Sequence, residues 1–197
     1  MFLQQLLNGI TQGGTYALIA LGYTLIFGVL EIINMAHGEV FMVGAMAGYV
    51  LATRAGWGLA PALLGGMLAA ALLGAVLEFT ALRALRRKGV SNLTPLISTI
   101  GLGIVIQNLM VRVAGAEPLP FRVGGLSDGV LRLGPVQVTY TQLLVLGVSL
   151  LLMAVLQWTL SRTRMGRAVR AVSENPQTAA LLGVNVSGVV LGTVMLA

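Results

Sequence analysis

The chain has 197 residues, of which 57% are hydrophobic and 9% charged, with 26 glycines, no cysteine and a net charge of +6. That charge content lies far below the roughly 25% of soluble domains, and a mean hydropathy of +0.92 points the same way, to a membrane protein. Without cysteine, disulfides and thiolate metal sites are excluded.

Long uncharged tracts occupy residues 1–30, 55–77, 89–111, 133–161 and 175–197. The first four have the roughly 20 residues an α-helix needs to cross hydrocarbon. Strands of an outer-membrane barrel would alternate apolar and polar positions over about ten residues. Instead "LLGGMLAAALLGAVL" and "LLVLGVSLLLMAVL" are apolar on every side. The fold class read from this is all-α, a polytopic transmembrane helical bundle forming one membrane domain over residues 1–197.

The opening "MFLQQLLNGITQGGTYALIALG" lacks the basic start of a cleavable signal peptide and reads as mature structure, with a first helix over residues 9–30. Next comes "EIINMAHGEV", a polar knot holding Glu31, Asn34, His37 and Glu39. The apolar tract after it, residues 40–53, has 14 residues, about 21 Å of helix against a hydrocarbon core of roughly 30 Å. It is too short to cross alone. Either the knot lies at membrane depth as part of the crossing, or the segment is re-entrant; irregular backbone at that depth survives only against protein or a water-filled cavity. Asn34, His37 and Glu39 are therefore candidates for the wall of a translocation path, and a hydrogen-bonded structural turn is the competing reading. Within residues 40–53, "GAMAG" (Gly44, Gly48) is a small-xxx-small pattern that lets helix backbones approach. Tight internal packing is its plainer reading, dimerisation its other.

A span over residues 59–77 places Arg54 and Trp57 at one membrane face and the basic run "RALRRKG" (Arg83, Arg86, Arg87, Lys88) at the other. A second basic run, "SRTRMGRAVRA", follows residues 140–160. The positive-inside rule makes both runs cytoplasmic. The two spans between them, 93–113 and 140–160, return the chain to the same side, which is consistent. Gln107 and Asn108 lie within the first of these spans and Thr15 within the first helix; they are candidate cavity-lining groups. The connecting outer loop is rich in Gly and Pro, hence irregular or a short hairpin.

After the last long span, "RMGRAVRAVSENPQTAALLGVNV" reads as two short helices. Residues 166–173 carry Arg167 and Arg170 on one face. Asn175 offers an N-cap, Pro176 suits a first helical position, and Gly183 can take the positive φ of a helix C-terminus. An interfacial lipid anchor would use basic residues in the same way, but the apolar side is small, and a capped unit of this kind suits docking to a protein. The chain stops inside the apolar run "VSGVVLGTVMLA", which reads as truncation at the C-terminus of a longer protein.

Three chemical motifs fail on inspection. His37 and Glu39 are two apart, but the zinc deaminases that use H-x-E need Cys partners, and H-E-x-x-H is impossible with one His. No metal site is expected. "GLSDG" at residues 125–129 matches the nucleophile elbow only by chance, being in a loop without the flanking strand and helix. The sole Lys88 is followed by Gly89, so there is no G-K-[ST] phosphate loop, and no enzyme activity is expected.

At this point the blocks "NGITQGGTYALIALGYTLIFGVLEIINMAHGEVFMVGA" and "TRMGRAVRAVSENPQTAALLGVNV" resemble the LivH-like family, permease subunits of bacterial ABC importers for branched-chain amino acids. The resemblance runs nearly collinearly along the chain. It implies an inner-membrane, multi-pass permease whose partners are a second homologous permease, two cytoplasmic ATPases and a periplasmic substrate-binding protein, besides membrane lipid and an amino-acid substrate; no nucleic acid is involved. It implies no cofactor on this chain, ATP being used by the partner subunits. Arg164, Gly166, Arg167, Arg170, Ala171, Glu174, Ala179 and Gly183 correspond to the family's cytoplasmic coupling loop. The chain departs from the broader importer motif, E-A-A followed by G, in reading "RAVRAVSENP". Amides or urea are carried by some relatives, and a secondary transporter or channel for a small polar solute is the rival reading.

Overall fold

The computed structural model describes residues 2–31, 33–83, 85, 93–119, 129–133 and 136–197. Arg86, Arg87, Lys88 and most of the "GLSDG" stretch lie outside them. In chain order the elements are α1 (Phe2–Leu30), α2 (His37–Thr53), α3 (Leu59–Leu77) continuing into one π-helical turn (Glu78–Leu82), α4 (Leu93–Ala114), β1 (Val130–Leu133), β2 (Val136–Thr139), α5 (Tyr140–Arg162), α6 (Arg164–Glu174), α7 (Pro176–Leu181) and α8 (Val186–Leu196). Four helical stretches, Phe2–Val29, Leu59–Leu82, Thr94–Ala114 and Tyr140–Arg162, are long and apolar enough to cross a membrane. The chain is a multi-pass α-helical membrane protein.

The described residues form two compact units, one from Met1–Leu21 with Arg122–Arg167, the other from Gly22–Phe121 with Ala168–Ala197. In the first, the start of α1 meets α5 at a small-residue contact: a side chain on Gly14 would touch the Cβ of Ser149 at 3.5 Å, and Ser149 is buried. The loop before α5 does contain a hairpin, β1 and β2 antiparallel with Val130 opposite Thr139 and Leu133 opposite Val136. Gln4 ties α1 to it, donating to the Gln137 carbonyl and accepting from the Gln137 N–H, both at 2.8 Å. The strand passes into α5 through a capping box, in which Thr139 Oγ1 accepts from the Gln142 N–H and the Gln142 side chain accepts from the Thr139 N–H.

In the second unit α2 and α3 are an antiparallel pair turned at Gly56, whose φ of +67° suits glycine. Their contact is made of backbone. A Cβ on Gly44 would lie 2.9 Å from the Ala70 Cβ, and one on Gly66 only 2.7 Å from the Gly44 carbonyl oxygen. Lipid tails are as apolar as leucine, so such close van der Waals packing is what holds membrane helices together. The "GAMAG" pattern thus packs within the chain. Helix α8 lies on α3 in the same manner, the Val194 carbonyl oxygen 3.3 Å from where a Gly74 side chain would begin. Ile26, Leu82, Val172 and Val190 are almost fully buried in this unit.

Helix α1 begins at Phe2 and not at residue 9, α6 runs slightly beyond residues 166–173, and a third boundary differs with more consequence. Helix α2 begins at His37, not at Val40, so His37, Gly38 and Glu39 form its first turn and, among the described residues, Glu31 and residues 33–36 remain irregular. At 17 residues, α2 is about 25 Å long, still short of the hydrocarbon thickness. The earlier start rests on the turn before it: the Asn34 carbonyl accepts the His37 N–H, while the Asn34 side chain and Thr99 of α4 hold the N–H groups of Ala36 and Met35.

Candidate functional site

Helix α1 ends at Leu30, and Glu31 takes a left-handed conformation with φ +52° while its N–H still donates to the Phe27 carbonyl at 2.8 Å. A positive φ on a residue with a side chain is uncommon, and here it turns the chain out of the helix. Asn34 is buried and closes a tight turn on itself: its Oδ1 accepts from the Ala36 N–H at 3.1 Å and its carbonyl from the His37 N–H at 3.3 Å. The Ala36 carbonyl then accepts from the N–H groups of Glu39 and Val40, both at 3.1 Å, which starts α2.

The break is also held from α4. Thr99, fully buried, accepts the Met35 N–H at 3.1 Å and donates to the Leu96 carbonyl at 3.0 Å. One turn along, Gly103 lets α4 lie flush on the first turn of α2: a Cβ there would meet the Glu39 Cγ at 3.4 Å and the Ala36 Cα at 3.8 Å. His37 is buried edge-on against the Tyr23 ring, centroids 4.6 Å apart and planes at 68°, and Gly22 leaves it room. Glu39 is half-buried in the first turn of α2, where a carboxylate complements the positive end of the helix dipole.

The structure therefore brings Asn34, His37 and Glu39 together with Thr99 and Gly103. Gln107 and Asn108, on α4 beyond Gly103, are exposed, and the Asn108 amide donates to its own helix at the Ile104 carbonyl, 2.7 Å. Among the described residues no group of three or more His, Cys, Asp or Glu gathers where it could hold a metal ion.

Glu78 was not singled out by the sequence reading. It is 2% exposed and opens the π-helical turn, and Arg83, which closes that turn, has its guanidinium 5.3 Å from the Phe79 ring centre. An acidic residue within an intramembrane helix and a π-turn are each common markers of functional positions. The available signal was a lone acid between an apolar run and a basic one. Thr99 was missed because nothing in "LISTIGLG" distinguishes it from a threonine bonding only its own helix.

The helix pair after α5 follows its sequence signals closely. Thr163 breaks α5 and starts α6, accepting the Gly166 N–H at 3.1 Å while donating to the Thr159 carbonyl at 2.6 Å. Gly166 is required there: any side chain would collide with the Leu160 backbone. Along α6, Gly166, Val169 and Val172 are buried at helical spacing, whereas Arg164, Arg167, Arg170, Ala171 and Glu174 are exposed. Asn175 caps α7 through the Thr178 N–H at 2.9 Å, with Pro176 in its first turn. Helix α7 ends in a Schellman motif: the Val184 N–H reaches the Ala179 carbonyl and the Gly183 N–H the Ala180 carbonyl, both at 3.0 Å, with Gly183 at φ +85°. Ala179 is buried beneath, while Leu181 and Leu182 stand out at 89% and 79% exposure. The two leucines were read from sequence only as part of a small apolar side.

These features define a class: a multi-pass helical membrane protein with a hydrogen-bonded break at the head of a short helix and a rigid, exposed helix pair after its last long span. The chain belongs to the family described as branched-chain amino acid transport system / permease component, which it matches over residues 5–197. It is 36% identical over 200 residues to the high-affinity branched-chain amino acid transport system permease protein BraD of Pseudomonas aeruginosa. It is 35% identical over 202 residues to the permease proteins LivH of Escherichia coli K12 and of Salmonella typhimurium. In each case the alignment covers 96% of this chain, and the chain spans 64% of the relative's length. No solved structure matches the chain.

Proposed function

We propose that the chain is the membrane-spanning permease subunit of an ATP-driven importer of branched-chain or related amino acids, resident in the bacterial inner membrane. The observation that carries this reading is the α6–α7 pair. Both its ends are fixed by caps, its inner face is buried, and it presents arginines together with two leucines that stay exposed among the described residues. Exposed apolar anchors on a rigid helix fit a groove on a partner protein. The partner in this reading is a cytoplasmic ATPase, present twice, and the assembly is completed by a second homologous permease and a periplasmic binding protein. ATP is bound by those ATPases and no cofactor by this chain. Closure of the ATPases moves α6 and α7, and the bundle opens to alternate sides; the permease performs no covalent chemistry on its cargo.

Within the bundle, Glu39 together with Gln107 and Asn108 forms the candidate wall of the path, being the members of that set that retain exposure. Asn34 and His37 are assigned instead to framing the break. The substrate class rests on the names of the relatives.

The test uses the full-length permease reconstituted with its ATPase. Arg167→Glu reverses a charge on the exposed row, and Gly183→Val strains the left-handed turn that ends α7. Both should lower substrate-stimulated ATP hydrolysis at least tenfold while leaving the permease inserted. Undiminished stimulation in both would remove the coupling role, and uptake that proceeds without ATP would favour a secondary transporter or channel.

A further inference from the structure

The first unit holds a cleft of about 490 Å³ between α1 and α5, lined by Asn8, Thr11, Gln12, Thr15, Tyr16 and Gln142 with Val145 as its apolar member. All but two of these residues fall on α1, at positions 8, 11, 12, 15 and 16, which is one face of a helix. This lies within a stretch long and apolar enough to cross a membrane. Polar side chains presented there to lipid are costly, so such a face is covered either by protein or by water.

The hydrogen bonds favour water. Gln142 Nε2 donates to Asn8 Oδ1 at 2.8 Å, and Gln4 Nε2 donates to the same oxygen at 3.3 Å, so the Asn8 carbonyl is engaged and its two amide N–H donors remain for whatever fills the cleft. Deeper along α1, Gln12 donates to the Tyr16 hydroxyl at 3.3 Å. The surface is concave, and its volume is within the range of small-molecule sites and enough for on the order of ten waters. The lining carries donors and acceptors and no charge, so it can hydrogen-bond both ends of a zwitterion and trap neither. Conduction needs that balance of entry and release.

We propose that this cleft is a water-lined wall of the solute path, with Asn8, Gln12, Thr15 and Gln142 hydrogen-bonding a small zwitterionic or neutral polar solute in transit. The solute class rests on the transport reading above; the wetness of the cleft does not. No cysteine occurs among the 197 residues, so single cysteines placed here report without background from this part of the protein. Thr15→Cys and Gln12→Cys probe the cleft. Ile10→Cys, on the opposite side of α1 and half exposed, probes the apolar face.

The full-length permease, assembled with its partner subunits in membranes, is treated with a charged, water-soluble methanethiosulfonate. Thr15→Cys and Gln12→Cys are expected to react at least tenfold faster than Ile10→Cys, and excess leucine to slow them at least threefold. Rates equal to that of Ile10→Cys at both positions would overturn the proposal, since the cleft would then be filled by another helix or by lipid. So would leucine leaving both rates unchanged in a transporter that accumulates leucine. Failure of the wild-type assembly to accumulate leucine would count against the transport reading, and a tenfold rate ratio would still support the wet cleft.

Discussion

At the break between α1 and α2 the polar side chains are turned toward the main chain: Asn34 holds the Ala36 N–H and Thr99 holds the Met35 N–H, and both residues are buried. Along the first part of α1 the polar side chains are turned toward one another and toward a cleft, Asn8 to Gln142 and Gln12 to Tyr16. Both clusters interrupt apolar sequence, yet the first replaces the hydrogen bonds an interrupted helix loses and the second adds hydrogen-bonding capacity to a helix that lacks nothing. A polar residue in a membrane helix is thus framework where it completes the backbone and path-lining where the backbone is already complete; Gln142, which caps α5 and also lines the cleft, does both. Stability should depend steeply on the first cluster and weakly on the second.

The sharpest way to break that contrast is to wedge the break open. Gly103→Leu forces bulk between α4 and the first turn of α2, where a Cβ alone is already 3.4 Å from Glu39. Overpacking of this kind costs about 1–3 kcal/mol, and a leucine here should reach the upper end. Reversible unfolding in mixed micelles would measure it, and a loss below about 0.5 kcal/mol would mean α4 does not clamp the break. Thr99→Val follows with a loss of about 1 kcal/mol, because it removes the acceptor of a part-buried N–H and keeps the shape. Thr99→Ser, which restores the hydroxyl, should recover most of it; equal losses in the two variants would assign the effect to packing.

What the sequence made legible follows the same division. The α6–α7 caps could be read directly, since Asn175, Pro176 and Gly183 act within a few residues of their own positions. The shortness of the segment after the knot could be read by counting, and the hairpin before α5 only as one of two alternatives, since Gly and Pro content fits an irregular loop equally well. The true start of α2 could not, because it depends on Thr99, which comes from another helix 64 residues away from Met35. Glu78 escaped for a similar reason: its burial depends on how neighbouring elements pack around a π-turn, which no periodicity announces. The amide stripe was half visible, in Thr15 alone. Asn8, Thr11 and Gln12 are spaced as a helical face, but only the packing of α5 beside α1 makes that face a cleft.

The smallest expected effect on stability separates the two roles at a single residue. Glu39 sits on the break but keeps partial exposure, so it could serve the start of α2, the path, or both. Glu39→Gln preserves size and removes the charge. Through the helix dipole that is worth about 0.3–1 kcal/mol, so the protein should assemble and unfold nearly as before. If the carboxylate also faces the solute, the uptake rate or its concentration dependence should change several-fold in the same preparation. An unchanged uptake curve with a stability loss in that small range would place Glu39 with Asn34 and Thr99, as a residue that starts a helix and does nothing to the cargo.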